Sequence, residues 1–148
     1  MSNPVNPDPM TPPRMEPQLY HDMMSPDEVK AVRADVRAFC DEHLAPVAWE
    51  IGHTEESVEA FPRKLFKKMA DAGLFRIPYA KEIGGLGLSH PATATAAVIE
   101  ELSYYSNSVA AVFDVHCILA GHALEWASPE LQARYLAPLL DGSMIGSF

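Results

Sequence analysis

Two adjacent glutamates, Glu100 and Glu101, are the first candidates for acid–base chemistry in this sequence. A general acid and a general base must both reach the same substrate. Adjacent residues of a helix point about 100° apart, because the helix makes one turn in about 3.6 residues. We therefore expect one carboxylate to be solvated and the other to pair with a basic residue, rather than a catalytic pair.

A second group of reactive side chains lies on one predicted helix, which contains Asp114, His116, Cys117 and His122. Metal ligands on a helix are spaced three or four residues apart, because this spacing brings them onto one face. His116 and His122 are six residues apart, and Asp114 and His116 are two apart. The spacing predicts no metal site. The sequence also has no G-x-S-x-G nucleophile pattern and no plausible Ser-His-Asp arrangement.

The third candidate is a glycine-rich segment, in which Gly84, Gly85 and Gly87 could form a phosphate cradle. A dinucleotide-binding loop needs the spacing G-x-G-x-x-G, a preceding strand and a following helix. This segment has neither the spacing nor the strand, so it predicts a tight turn between helices. Residue chemistry alone therefore assigns no catalytic residue to the chain.

Composition and charge restrict the class of protein. The chain has 148 residues, of which 48% are hydrophobic, and its formal net charge is −9. Nucleic acids and anionic membrane surfaces both bind basic faces, so we expect neither as a partner. We expect no membrane span, because no apolar run approaches the length of a membrane helix. We expect no secretion signal, because a basic stretch followed by an apolar one is lacking at the N-terminus.

The two cysteines, Cys40 and Cys117, fall on apolar helical stripes. Buried thiols are typical of proteins in a reducing compartment. Together with the lack of a secretion signal, this pattern favours a cytoplasmic protein of bacterial origin.

The first 24 residues form a proline-rich tail. Its prolines are Pro4, Pro7, Pro9, Pro12, Pro13 and Pro17, in a polar stretch with few large apolar residues. Such a segment cannot bury enough apolar surface to offset the entropy lost on ordering. We therefore predict that residues 1–24 are disordered and that the folded domain comprises residues 25–148.

Beyond the tail, apolar residues recur at steps of three and four, which predicts helices. The predicted helices cover roughly residues 25–45, 62–73, 91–104, 108–126 and 129–140. Ser25 and Glu28 have the spacing of a capping box at the first helix, and Pro46 should kink or restart this helix. Gly73 should end the second helix in a left-handed conformation. The predicted fold class is all-α, an antiparallel bundle of about five helices with short connections.

Several segments, in order along the chain, resemble the N-terminal helical domain of the acyl-CoA dehydrogenase family. They are residues 69–78 (MADAGLFRIP), 82–87 (EIGGLG), 100–102 (EEL), 132–142 (QARYLAPLLDG) and 145–148 (IGSF). Their order and spacing together are specific, and the resemblance covers about residues 25–148.

The resemblance implies an FAD-dependent oxidoreductase that removes an α-proton and a β-hydride from an acyl-CoA thioester. A carboxylate base and the flavin would lie on opposite faces of the substrate. In this family the base belongs to a C-terminal domain and the flavin is held largely by a middle β-domain. The chain would then be truncated at the start of the β-domain, carry no catalytic base and be inactive alone. The family also implies an acceptor similar to an electron-transfer flavoprotein.

The same resemblance assigns one wall of the acyl pocket to the fourth predicted helix, through Ala111, Asp114, Val115 and Ile118. These residues are spaced i, i+3, i+4 and i+7, so they share a helix face. Phe148 matches an aromatic position that opens the family's flavin-contacting strand.

Two other interpretations remain open. The chain could be a non-catalytic helical partner subunit of a split dehydrogenase, or part of a related flavin enzyme such as an acyl-CoA oxidase or a nitroalkane oxidase. The fourth predicted helix is apolar on nearly all sides, which indicates an interface. We expect its partner to be a second copy of the chain or a complementary dehydrogenase chain.

Overall fold

The computed structural model describes residues 24–55 and 57–147. The predicted tail, apart from Met24, and Phe148 lie outside the described residues. The described ranges contain six helices and two short 3₁₀ turns, and none of their residues is in a β-strand, which confirms the all-α class. The helices are α1 (Asp27–Phe39, continued by the π-helical segment Cys40–Leu44), α2 (Ala48–His53), α3 (Arg63–Asp71), α4 (Pro91–Tyr105), α5 (Asn107–Glu125) and α6 (residues 129–140).

The start of α1 differs from the predicted capping box. The helix begins at Asp27, after Pro26, and no side chain caps it. Glu28 instead accepts hydrogen bonds from the His90 ring (2.6 Å) and from the Ser89 backbone amide (3.2 Å) at the start of α4. The bond with His90, followed by that from Ser89, lowers the pKa of Glu28. The capping-box prediction was wrong because this carboxylate binds α4 rather than its own helix.

Pro46 separates two helices. The chain turns at residues 45–47, and a new helix, α2, begins at Ala48. Of the two predicted effects of Pro46, a kink or a restart, the restart is confirmed. None of the residues Ala48–His53 is buried. Ala48 and Ile51 are only partly buried against the core, and two such residues in a helix of 6 are too few for helical periodicity to reveal α2.

The core lies where α1, α3, α4 and α5 meet. Each helix contributes apolar residues at helical spacing, as predicted for an amphipathic bundle. The fully enclosed residues include Val29 and Val36 of α1, Met69 of α3, Ala94, Ala97, Val98 and Leu102 of α4, and Val109 and Phe113 of α5. Cys40 and Cys117 are buried thiols, as expected. Gly73 follows α3 with φ 76°, so the predicted left-handed ending is confirmed.

The helix α5 meets the length and composition of a membrane-crossing helix. This corrects the expectation that no apolar stretch approaches that length. The mean hydropathy over 18 residues stays high although the helix contains Asp114 and two histidines. In the described bundle, α5 packs against α4 and α6. The core helix of a soluble protein has the same composition, so one such helix is weak support for a span.

Glu101 is buried on α4 and pairs with two arginines of α1. Its carboxylate accepts hydrogen bonds from Arg33 Nη1 (3.2 Å) and from Arg37 Nη2 (2.8 Å). Arg33 Nη2 also donates to Glu100 at 2.5 Å. The expectation that one glutamate pairs with a basic residue is confirmed for Glu101. Glu100 stays 39% exposed, and it also contacts Arg33 because the forked guanidinium reaches both carboxylates.

Replacement of Glu101 by glutamine should lower the free energy of unfolding by about 2 kcal/mol, because two arginines lose a buried anion. Urea denaturation followed by circular dichroism measures the change. Glu100→Gln is the matched control, and it should cost less than about 1 kcal/mol, since Glu100 is more exposed. Equal losses for the two variants would contradict a special role for Glu101.

Candidate functional site

A groove of about 350 Å³ lies between α4 and α5. Both helices contribute residues that are about four positions apart, so one ridge of each helix lines it. The lining residues are Pro78, Pro91, Ala92, Thr95, Ala96, Ile99, Asp114, Ile118 and His122.

The chain runs along one wall of the groove towards Ser106, the single residue between α4 and α5, and then returns along the other wall. Ile99 and Asp114 are seven and eight residues from Ser106, so they lie at the turn end. Pro91 and His122 are fifteen and sixteen residues from it, at the other end. The groove therefore has two ends. The end at His122 is called the near end, and the end at Asp114 is called the far end.

The near end adjoins a second cavity of about 320 Å³. Pro78 and Pro91 line both cavities. The second cavity is also lined by Tyr79, Ala80, Lys81, Glu82, Gly87, Leu88 and Glu125. Charged side chains thus lie beyond the near end, while most residues along the groove itself are apolar.

Two of the four residues predicted for an acyl wall, Asp114 and Ile118, line the groove. Ala111 is exposed and Val115 is half-buried, and neither lines it. The segment Val115–Gly121 is π-helical, so its turns contain more than 3.6 residues. The predicted face, which assumed regular α-helical spacing, therefore does not continue unchanged through this segment.

Tyr79 is a site residue that the sequence did not reveal. Its hydroxyl donates a hydrogen bond to the Cys117 carbonyl inside the π-helical segment. A side chain at Gly121 would overlap this hydroxyl, so glycine is needed there. Burial raises the pKa of Tyr79 above its usual range, which keeps the hydroxyl protonated as a donor.

The Cys117 thiol is not arranged for nucleophilic chemistry. Burial, and then the charge of Asp114, raises the pKa of this thiol above its usual range. The thiolate is the reactive form of cysteine, so a raised pKa makes the group inert. Among the described residues, no group of three or more His, Cys, Asp or Glu side chains is placed to hold a metal ion.

His116 is a buried side chain whose two ring nitrogens both bind the backbone. Nε2 lies 3.0 Å from the Leu139 carbonyl, and the Gly146 amide donates to Nδ1 at 3.0 Å. A carbonyl only accepts and an amide N–H only donates, so the ring is neutral with its proton on Nε2. Burial lowers the pKa of His116, although the Leu139 carbonyl acts in the opposite direction. His116 thereby holds residue 146 against α5.

The glycine-rich segment is a closed turn. The amides of Gly84, Gly85, Leu86 and Gly87 all donate to carbonyls of residues 76–81. A side chain at Gly85 would overlap the backbone of Tyr79. Because these amides are already bonded, they do not form a phosphate cradle, and the prediction of a tight turn is confirmed.

Comparisons with known proteins agree with this architecture. Residues 26–143 match the family model described as acyl-CoA dehydrogenase, N-terminal domain. The short-chain-specific acyl-CoA dehydrogenase of Clostridium acetobutylicum is 33% identical over 122 residues, which are 82% of this chain and 31% of that protein. The 3-(aryl)acrylate reductase of Clostridium sporogenes is 30% identical over 128 residues, which are 85% of this chain and 32% of that protein.

A solved structure shows the same fold. It is a chain from the structure of the electron transferring flavoprotein of Acidaminococcus fermentans, with a TM-score of 0.71 and 24% sequence identity. The similarity covers 84% of this chain and 32% of that chain. The bundle of α1–α6 is thus an N-terminal helical domain of the acyl-CoA dehydrogenase type. The chain belongs to the acyl-CoA dehydrogenase family, and it spans 31% to 32% of the length of these two relatives.

His116 should make the stability of the chain depend on pH. Its folded-state pKa lies below the ordinary value of 6.5, so the unfolded chain binds the proton more readily. The stabilisation is present above pH 6.5 and is lost as the pH falls through 6.5 towards the lowered folded-state pKa. Urea unfolding between pH 8 and pH 5, at about one-unit steps, measures this loss.

His116→Asn is the control, since it removes the titrating ring. This variant should be less stable at neutral pH, and it should lack the part of the pH dependence that His116 causes. Parallel pH curves for the two proteins would contradict the assignment.

Proposed function

We propose that this chain supplies one wall of the acyl pocket in an FAD-dependent acyl-CoA dehydrogenase, an oxidoreductase acting on CH–CH groups of acyl-CoA thioesters. The supporting observation is the groove between α4 and α5, which Asp114 and Ile118 line within the region that matches the family. A mostly apolar groove with a few polar groups suits an acyl chain.

The chemical step belongs, in this proposal, to parts of the enzyme outside these residues. A carboxylate base removes the α-proton, and FAD, when bound, accepts the hydride. Glu100 and Glu101 are not this base, because Arg33 and Arg37 bind them at the junction of α1 and α4. Phe148 stays a proposed flavin contact.

The glycine-rich turn of this chain does not offer a phosphate site for FAD. A tightly bound flavin dinucleotide needs backbone amides or cations that hold its phosphates. The amides of residues 84–87 are bonded inside their own turn. In this proposal the chain contributes the acyl wall, and the β-domain and C-terminal parts that the family implies hold the cofactor.

The open side of α5 supports the proposal of a protein partner. Leu119 on α5 is 44% exposed, and Trp126, the residue after α5, is 89% exposed. Large apolar side chains open to solvent are candidates for an interface. We assign this side to a homo-oligomer or a complementary dehydrogenase chain, with an acceptor similar to an electron-transfer flavoprotein as the redox partner. The buried thiols support a cytoplasmic location.

The purified 148-residue chain should contain no tightly bound FAD and show no dehydrogenase activity. The reason is that the amides of residues 84–87 are bonded within their own turn and cannot hold the phosphates of FAD. Visible absorbance after gel filtration with added FAD measures binding, and a complete relative purified in parallel is the positive control. A yellow chain with near-stoichiometric flavin would contradict this division of roles.

Ile118→Phe should reduce turnover of octanoyl-CoA more than that of butanoyl-CoA, because the added ring occupies the groove. The test joins residues 25–147 to the remaining parts of the short-chain enzyme of C. acetobutylicum. Both redox directions are assayed, since one relative is named a reductase. Thr93→Phe is the control, because Thr93 is an exposed residue of α4 that does not line the groove. Equal losses for both acyl lengths in Ile118→Phe would indicate core damage instead of a pocket.

A further inference from the structure

Asp114 places a carboxylate at the far end of an otherwise largely apolar groove. It stands on the same stripe of α5 as Ile118 and His122, at steps of four residues. At the α-helical rise of about 1.5 Å per residue, Asp114 and His122 are at most roughly 12 Å apart along the helix axis, since the π-helical turns between them are wider and shorter. The groove therefore has an acceptor at one end, an aliphatic side chain in the middle and a histidine at the other end.

The other polar side chains of the groove already have partners. The Thr95 hydroxyl donates to the Pro91 carbonyl at 2.8 Å. His122 Nδ1 lies 2.6 Å from the Glu125 carboxylate. By contrast, the described residues offer the half-buried Asp114 carboxylate no hydrogen-bond or ion-pair partner. Asp114 is thus the lining side chain whose capacity to accept hydrogen bonds is open to a ligand.

An apolar chain that filled the groove would displace the water that hydrates this carboxylate, and it would offer the carboxylate no hydrogen bond in exchange. Burial of an unpaired charge is unfavourable, whereas a hydrogen-bond donor or a cation at the same point compensates the lost hydration. Charge-assisted hydrogen bonds are also stronger than neutral ones. The groove should therefore discriminate between ligands by the group at their far end.

We infer that Asp114 is a specificity-determining residue that selects acyl groups with a hydrogen-bond donor at the end remote from the thioester, most strongly a terminal ammonium group. The inference rests on the proposed acyl pocket and deepens it, because it names the substrate class. The thioester end then lies towards His122 and the charged second cavity.

Two non-reactive probes test the inference on residues 25–147 joined to the remaining parts of the C. acetobutylicum enzyme, which supply the other walls of the pocket. They are S-octyl-coenzyme A and S-(8-aminooctyl)-coenzyme A, thioethers that can be neither hydrolysed nor dehydrogenated. A chain of eight carbons, with bonds of ~1.5 Å, is comparable in length to the stripe from His122 to Asp114. Backbone amide shifts of Thr95 and Ile118, recorded by NMR at each ligand concentration, report both the site and the affinity.

The aminooctyl probe should bind at least about tenfold more tightly than the octyl probe, as expected for a charge-assisted hydrogen bond. Asp114→Asn should abolish this preference, and Asp114→Leu should reverse it by favouring the octyl probe. Asp71→Asn is the matched control, since it changes the net charge equally at an exposed position on α3. It should leave the ratio of affinities unchanged, and the amide spectrum of each variant verifies that it is folded.

The outcomes separate the inference from the proposed function. If both probes shift the groove amides with equal affinity, the acyl pocket stands and selection by Asp114 is overturned. If neither probe shifts these amides, the acyl pocket and the selection are both overturned. If Asp71→Asn removes the preference as fully as Asp114→Asn, the preference reflects overall charge and the inference is overturned.

Discussion

The hydrogen bond from the Tyr79 hydroxyl to the Cys117 carbonyl joins the loop after α3 to the middle of α5, and the groove depends on this junction. The carbonyl belongs to the π-helical segment Val115–Gly121, where the hydrogen-bonding register of the helix changes. Gly121 lets the hydroxyl approach, since any side chain there would overlap it. The junction therefore lies where the register of α5 changes, next to the α5 residues that line the groove.

Two sides of α5 have different roles because of this register. On the buried side, the neutral ring of His116 bonds the Leu139 carbonyl and the Gly146 amide, so α5, α6 and the segment after α6 are held together. On the other side, Ile118 and Asp114 line the groove, and Leu119 is exposed beside them. One apolar helix thus serves as core element, groove wall and candidate interface.

The position of the opposite wall depends on charge as well as on packing. Glu101 is buried on α4 and binds Arg33 and Arg37 of α1, while Glu28 of α1 binds the first residues of α4. A buried carboxylate is stable only with such partners, and these partners orient α4 along α1. The most conspicuous acids of the chain are therefore structural, and the acid that faces the groove is the isolated Asp114.

The sequence by itself determined the all-α class, most helix boundaries, the glycine ending of α3 and the tight turn at residues 84–87. These features follow from local periodicity and from backbone conformations that particular residues favour, and both can be read from neighbouring positions. Only the tertiary structure decided that Glu28 binds His90 instead of capping its own helix, and that Tyr79 bonds α5. It also decided that Asp114 and Ile118 line the groove while Ala111 and Val115 do not. The physical reason is that contacts between distant residues, and the wider turns of the π-helical segment that accompany them, leave no regular spacing in the sequence.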